Sequence, residues 1–441
     1  MALAETLAGC ALRSGGDVAL CRNLSYNEFH TKTEISTVAN ENDIRIILFA
    51  GKGGVGKTSV AGATGVKTAS LGKKTLIMSL DAAHSLADIF DLDRDLMDKN
   101  RGEPVQVADN LWIRELDIQE EIHKHWGEVY KYFTALLNTT GFDEVLAEEL
   151  AIIPGMEEVS SLLYINTYAR EHEYDVILLD CAPTGESLRF VSIPTALEWY
   201  IKKLFNMERR MAKVIRPVAK HLTDIPLPQD EYFAALERLF KRLEGVETLL
   251  SDPNITTVRL VTNPEKIVIK ETQRAFMYFC LYRMCIDAVI INRILPDDVN
   301  ERFFDEWKNS QMRYVKRAEE YFSPVPIYEA QLFREEVLGK EALSRLADSI
   351  YGDRDPTEIF YRELPYDIVK VDSTYRITIK LPFVKKQDVE LNRVADELII
   401  RVGSFKRSIL LPKQATASNV AKAAFNGDKL IVSLGGMEDV R

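Results

Sequence analysis

The 441-residue sequence has no uninterrupted apolar run near the roughly 18–20 residues that a membrane-spanning helix needs. Membrane contact is therefore expected to be peripheral at most. Cysteine is scarce: Cys10, Cys21, Cys181, Cys280 and Cys285 are too few for a disulfide framework, and no Cys-x-x-Cys occurs. That usage suits a reducing compartment. Cys280 and Cys285 lie five apart, a spacing that diverges on a helix and chelates poorly. His123 and His125, two apart, diverge likewise. A basic surplus is also missing, with 56 Lys and Arg against 67 Asp and Glu and a formal charge of −11. A general nucleic-acid binder needs a basic face, so that partner class is set aside. There is no internal repeat and no low-complexity tract. The 46% hydrophobic and 28% charged content is that of a globular chain. Residues 1–43 show no sustained period and no clean apolar stretch after a charged start. They carry Asp17, Glu28, Glu34, Glu41 and Asp43, too acidic for a transit peptide, and read as a loosely ordered extension.

Order begins at Ile44. Ile46–Ala50 is a short apolar run ending in glycines, Thr58–Ser70 has helical composition, and Thr75–Leu80 is a second apolar run closed by Asp81. Strand, glycine loop, helix and strand in that order make a βαβ unit and imply a parallel sheet. Further core strands are expected at Val176–Leu179, Thr257–Val261 and Ala288–Ile291. Helical stretches separate them at Ile118–Leu137, Ala196–His221, Asp230–Leu250 and Ile267–Arg283. The expected fold is α/β: a doubly wound, mostly parallel sheet over residues 44–350, with a helical subdomain at about 118–150 and 190–250. The character changes after Tyr351. A linker at 351–364 precedes six short alternating runs, at 367–371, 375–381, 388–391, 397–402, 405–411 and 429–434, which suggest a small all-β sandwich over 365–435 before a tail at 436–441. Residues 365–441 hold 13 Lys and Arg against 9 Asp and Glu, mildly basic beside the acidic remainder.

Chemistry concentrates in Gly51-Lys52-Gly53-Gly54-Val55-Gly56-Lys57-Thr58, which fits G-x4-G-K-[ST] and is followed by Ser59. The glycines let backbone N–H groups converge on phosphate oxygens. Lys57 neutralises their charge, and the Thr58 hydroxyl suits Mg²⁺. The loop follows a strand and opens a helix, which is the context the motif requires. Lys52, at the loop's front, is either solvated or reaches a nucleotide in a facing subunit, as an arginine finger would. Asp81, at a strand's C-terminal end, is placed to orient the attacking water. Asp180, ending the next core strand, stands where a Walker-B aspartate would hold Mg²⁺ directly or through water.

These residues resemble the arsenite-pump and tail-anchored-protein-targeting ATPase family, of the signal-recognition/MinD class. Gly51–Thr58 with Lys52 is that class's deviant Walker A. Asp81-Ala82-Ala83-His84-Ser85 is similar to D-P-A-H-S, Asp180-Cys181-Ala182-Pro183-Thr184-Gly185 to D-T-A-P-T-G, and Pro154-Gly155-Met156-Glu157-Glu158 to P-G-x-D-E. Thr262–Lys266 and Ile291-Asn292-Arg293 resemble further family segments. The resemblance implies a Mg²⁺-dependent, cytoplasmic ATPase acting as a homodimer, without choosing between bacterial cytosol and plastid stroma. In it Lys52 and Lys57 contact ATP, Asp81 polarises water, and Asn292 recognises adenine beside the loop Val325-Pro326-Ile327. Its helical subdomain would offer a groove to apolar helices of client proteins. An arsenite-pump subunit, or a nucleotide-switched scaffold without such clients, is the alternative. Three residues depart from the family pattern: Ala82 for proline, Cys181 for threonine and Glu186 for histidine. Zinc is not expected, since Asp297-Asp298-Val299-Asn300 stands where zinc-clamped members carry Cys-x-x-Cys.

The C-terminal runs resemble an α-crystallin (small heat-shock) domain, through Leu381-Pro382 and Ala423–Leu430, similar to A-x-x-x-N-G-x-L with one extra residue. Apolar residues at helical spacing, including Leu204, Phe205, Met207, Met211 and Val214, with Leu236, Leu239, Phe240 and Leu243, serve either as core or as the groove. The interleaved Lys202, Lys203, Arg209, Arg210, Lys213 and Arg216 form a basic face, either solvated or turned to an anionic membrane surface.

Overall fold

A computed structural model describes residues 44–81, 85–92, 100–139, 155–219, 227–299, 301–371, 374–411 and 420–434. These belong to one compact unit. The extension at 1–43, Ala82-Ala83-His84, the stretch 140–154 with Pro154, and residues 436–441 lie outside them.

Strands β1 (Arg45–Ala50), β2 (Thr75–Leu80), β5 (Val176–Cys181) and β6 (Thr256–Thr262) are buried at every residue. They therefore read as continuous apolar runs instead of alternating ones. With β3 (Val105–Ala108), β4 (Leu111–Arg114), β7 (Ile286–Ile294) and β8 (Ile327–Gln331) they form an eight-stranded sheet in the order β3-β4-β2-β5-β1-β6-β7-β8. Every pairing is parallel except β3 with β4. The sheet thus has three strands beyond the five expected. The outermost two, β3 and β8, are half-exposed edges whose residues lack the apolar signature.

Helices cover both faces. α1 (Lys57–Ser70) lies against one face with the helix Gly339–Tyr351, and the Thr64 hydroxyl meets the Tyr351 hydroxyl at 2.8 Å. The other face carries the larger core, formed with the helices Met156–Glu171 and Lys266–Leu281 and the helical layer beyond them. That layer is more broken than the sequence suggests. The stretch 118–139 is interrupted by a π-helical turn at Ile122–Trp126. The helix expected from Ala196 begins at Thr184 and runs through Pro194 to Tyr200. After a π-helical turn at 201–205, Asn206–Ala219 follows. Proline removes one N–H and crowds the preceding turn, so it reads as a boundary even where packing carries a helix through it. The stretch 230–250 is two helices, Asp230–Leu243 and Val246–Ser251, split where Gly245 takes φ 87°.

Beyond Tyr351 the chain does not hang free. Arg259 donates to the carbonyls of Pro356 (2.7 Å) and Glu358 (3.1 Å), and Lys73 pairs with Asp355 at 2.8 Å. Two antiparallel sheets follow. One has four strands, Val420–Asn426, Lys429–Leu434, Thr374–Lys380 and Tyr366–Val371 in spatial order. The other has three, Val389–Val394, Glu397–Val402 and Phe405–Leu410. Ile377, Ile379, Leu398, Ile400, Leu430 and Val432 fill the space between. The strand Val420–Asn426, expected only as a motif, is the seventh. Met277 and Leu281 of the helix Lys266–Leu281 belong to the same core, and Phe405 packs edge-on against Tyr278 at 4.4 Å. The sandwich also reaches the helical layer: Trp199 donates to Glu397 (2.7 Å), Lys203 pairs with Asp396 (2.6 Å), and Arg407 donates to Thr195 (2.5 Å).

Candidate nucleotide site

The glycine loop joins β1 to α1 at the C-terminal edge of the parallel strands, where open α/β sheets place ligands. Two glycines have no substitute there. A Cβ on Gly51 would lie 2.2 Å from the Val261 carbonyl oxygen. Gly56 takes φ +92°, and a Cβ on it would meet the Asn292 amide nitrogen at 2.4 Å. Gly53 and Gly54 are exposed, with the Pro183 ring 3.8 Å from a Cβ on Gly53, so the loop after β5 leans on the phosphate loop.

Lys57 is buried, and its ammonium donates to the Lys52 carbonyl at 3.3 Å. It is thus folded across the loop, as a lysine that meets phosphate from inside must be. Lys52 and Ser59 are half-buried. The Thr58 hydroxyl lies 3.2 Å from that of Ser85.

Asp180 is buried at the end of β5, and neither carboxylate oxygen has a hydrogen-bond partner among the described residues. Burial pushes its pKa up to about 7; the Thr58 hydroxyl and the Lys57 ammonium pull it back, while Asp81 and Glu115 add repulsion. An orphaned buried carboxylate beside a threonine hydroxyl and a phosphate lysine is a site in want of a cation. Among the described residues no cluster of three or more His, Cys, Asp or Glu is placed to hold a metal. A Mg²⁺ ion, which keeps several waters and takes phosphate oxygens, fits the two side chains Thr58 and Asp180.

Asp81 follows β2, whose Ser79 and Leu80 pair with Asp180 and Cys181, so both aspartates stand at neighbouring strand ends. The Ser79 hydroxyl brackets Asp81, donating to its carbonyl at 3.1 Å and lying 3.2 Å from its N–H. Cys181 is buried, which raises its thiol pKa and disfavours the thiolate. Glu186 is exposed.

Asn292 is brought to the loop: its amide donates to the Val55 carbonyl at 2.9 Å and its oxygen accepts from the Arg293 N–H at 2.9 Å. One N–H and one lone pair remain for a base. Pro326 is not brought there. It precedes β8, and its carbonyl accepts from the Val289 N–H, three residues before Asn292 on the parallel neighbour. At about 3.3 Å per residue it lies roughly 10 Å short of that level, toward the opposite edge. The segment at the right edge is the one after β8. Leu332 donates to the Ile294 carbonyl at 2.7 Å, and a cleft of about 240 Å³ is lined by residues 333–337 with Ala342 and Arg345. Parallel register, not visible in the sequence, decides which flank of β8 faces the nucleotide edge.

Glu115, just past β4, belongs to no motif in the sequence. It is buried, and one carboxylate oxygen accepts from the N–H groups of Leu86 (2.8 Å) and Ala87 (3.2 Å). No motif signals it, because its partners are backbone groups far back along the chain.

The helical layer divides the two readings of its apolar stripes. Phe205, Phe233, Leu236, Leu239 and Leu243 are core. Met207, Met211 and Val214 are 50%, 39% and 74% exposed. An apolar cleft of about 240 Å³ opens between Trp126, Met156, Val159, Ile193 and Leu197. Of the basic face, Lys203 and Arg209 are held in ion pairs with Asp396 and Glu237. The side chains of Lys202, Lys213 and Arg216 lie outside the described residues. No helix among the described residues is long and apolar enough to cross a membrane.

Comparison with known proteins yields a family model described as anion-transporting ATPase, matching residues 44–352, and one described as an HSP20-like domain found in ArsA, matching residues 372–434. A protein of Aquifex aeolicus bearing the name arsenical pump-driving ATPase 1 is 50% identical over 393 residues, 88% of this chain and 99% of its own length. One of Prosthecochloris vibrioformis with a similar name is 36% identical over 388 residues, 87% and 94% of the two chains. The ATPase get3 of Aspergillus niger is 27% identical over 331 residues, 74% and 95%.

Proposed function

The chain belongs to the ArsA family of P-loop ATPases, with that family's HSP20-like domain at its C-terminal side, and on this premise we propose that it spends ATP on capturing apolar helices of other proteins. The observation that carries the proposal is the stripe Met207, Met211 and Val214. These residues recur at i, i+4 and i+7 and stay exposed on a helix where Ala212 is buried and Ile215 half-buried. A face of that kind is costly to leave in water and suits an apolar partner. The helix lies two steps downstream of Pro183, which leans on the phosphate loop, so one continuous stretch of chain joins nucleotide to stripe.

In this reading the loop N–H groups and Lys57 hold the phosphates. Thr58 and Asp180 would hold Mg²⁺, which neutralises charge on the transferring group. Asp81 orients the water that attacks the terminal phosphorus, and ADP leaves with the bond's electron pair. Asn292 and the loop after β8 take the base, in place of Pro326. Lys52 reaches the nucleotide of a second copy across a homodimer.

The test is Asp81→Asn. Turnover should fall by about 10² or more, as when a water-positioning group is removed, while nucleotide binding persists. The ATP-loaded variant should then retain a detergent-released transmembrane-helix peptide, and Met207→Glu/Met211→Glu/Val214→Glu should lose it. Undiminished turnover would sink the role of Asp81, and absence of peptide capture in every nucleotide state would sink the client reading. The names of the bacterial relatives favour a second reading, an arsenite-pump subunit. Arsenite needs accessible thiolates, yet the cysteines among the described residues, Cys181, Cys280 and Cys285, are all buried, Cys10 and Cys21 lying outside them. ATPase activity that rises with arsenite would reinstate that reading.

A further inference from the structure

We propose that Glu115 is a positioning residue for ATP hydrolysis, capping the helix Leu86–Ile89 in place of Ser85 and so freeing the Ser85 hydroxyl to hold Thr58. This rests on the reading of Thr58 as the magnesium-side residue of the phosphate loop.

Ser85 is the N-cap of that helix, and serine at such a position ordinarily turns its hydroxyl back onto the N–H groups two or three residues on. Here it makes no cap hydrogen bond. Its hydroxyl instead lies 3.2 Å from that of Thr58. The N–H groups of Leu86 and Ala87 are satisfied from outside the helix, both by the same oxygen of Glu115, at 2.8 and 3.2 Å. All three groups are buried or nearly so, with Glu115 9% exposed, Leu86 0% and Ala87 2%. An unmet N–H there would have no water to turn to. The carboxylate comes from the end of β4, next to β2, whose own end carries Asp81. One side chain thereby holds the N–H groups of Leu86 and Ala87 and leaves the Ser85 hydroxyl to Thr58 at the phosphate loop. With Glu115 removed, Ser85, as the N-cap residue, is placed to cap the helix itself, and doing so would draw its hydroxyl off Thr58.

The cap needs the acceptor oxygen, not the charge, which separates two variants. Glu115→Gln keeps a carbonyl oxygen for the two N–H groups; Glu115→Ala keeps none. In the nucleotide-free full-length protein, hydrogen exchange should show the Leu86 and Ala87 amides protected in the native chain and in Glu115→Gln, and exchanging about tenfold or more faster in Glu115→Ala. Steady-state kinetics should show turnover falling by about 10- to 100-fold in Glu115→Ala, with the Mg²⁺ concentration for half-maximal rate raised and KM for ATP changed less than either. Glu115→Gln should recover most of both effects. Ser85→Ala, which leaves the cap alone, should raise the Mg²⁺ requirement without altering amide protection. Equal damage in Glu115→Gln and Glu115→Ala would overturn the proposal in favour of a charge effect on Asp180. Native exchange and native Mg²⁺ dependence in Glu115→Ala would overturn it outright. Should Glu115→Ala fail to fold, an unchanged Mg²⁺ requirement in Ser85→Ala overturns it as well. Failure of the ATPase reading would appear differently, as no turnover in the native chain.

Discussion

Gly56 shows how much of the nucleotide site is settled by one absent carbon. Its φ of +92° costs an L-residue about 1–2 kcal/mol, and the Asn292 amide occupies the space a side chain would need. Gly56→Ala should therefore weaken ADP binding about tenfold or more in a fluorescence or calorimetric titration. Adding Asn292→Ala should restore only part of the loss, because it removes the collision but not the strained φ. Such residues were legible in the sequence: glycine, lysine and threonine at fixed spacing have few other uses after a buried strand. Asp180 was legible for the same reason, as a carboxylate that ends an apolar run. Glu115 and Ser85 were not. Their roles lie in which backbone N–H a carboxylate reaches across two strands, and nothing in either residue's neighbours along the chain records that.

Among the elements, the π-helical turn Ile122–Trp126 has a measurable consequence through His125. Its Nδ1 lies 2.9 Å from an Arg242 nitrogen that can only donate, so Nδ1 accepts and the ring proton sits on Nε2, toward Glu121 at 3.7 Å. Burial, then the charges of Arg242, Lys124 and Arg114, lower its pKa to about 4. A histidine depressed below its unfolded value binds its proton first in the unfolded chain. Stability is therefore lost as pH falls from about 6.5 toward 4, and the loss is complete below the folded value. Thermal melts of His125→Gln should fall less steeply across that window than those of the native chain; parallel curves would remove His125 as the cause. The π-helical turns themselves were beyond the sequence, which predicted single helices over 118–137 and 196–221. The apolar spacing is nearly the same through a one-residue insertion in the ladder, and tertiary packing decides where that insertion falls. Edge strands β3 and β8 are hidden in the sequence for a related reason: strands exposed on one side lose the long apolar run that makes the central strands plain.

For the molecule as a whole, Asp287 is the fastening between sheet and sandwich connection. It pairs with Arg45 at 3.2 Å and with Arg259 at 3.3 Å, all three side chains buried or nearly so, and Arg259 passes the contact on to the carbonyls of Pro356 and Glu358. Asp287→Ala would strand two guanidinium groups away from water, at a cost of about 3–5 kcal/mol. The urea midpoint should drop accordingly, and proteolysis should open residues 352–360 before the rest. An unchanged midpoint would show that the two arginines find other partners. The division into an α/β layer and a β-sandwich was readable from the change of period after Tyr351. That the two share a core was not, because Met277 and Leu281 look like any other apolar residues on a helix. Their burial also gives synthesis an order. A ribosome delivers the helix Lys266–Leu281 well before the strands that cover it, so each newborn chain passes through an interval with this apolar flank bare. The protein is thus, for the length of its own translation, a molecule in need of the shelter we propose it gives to others.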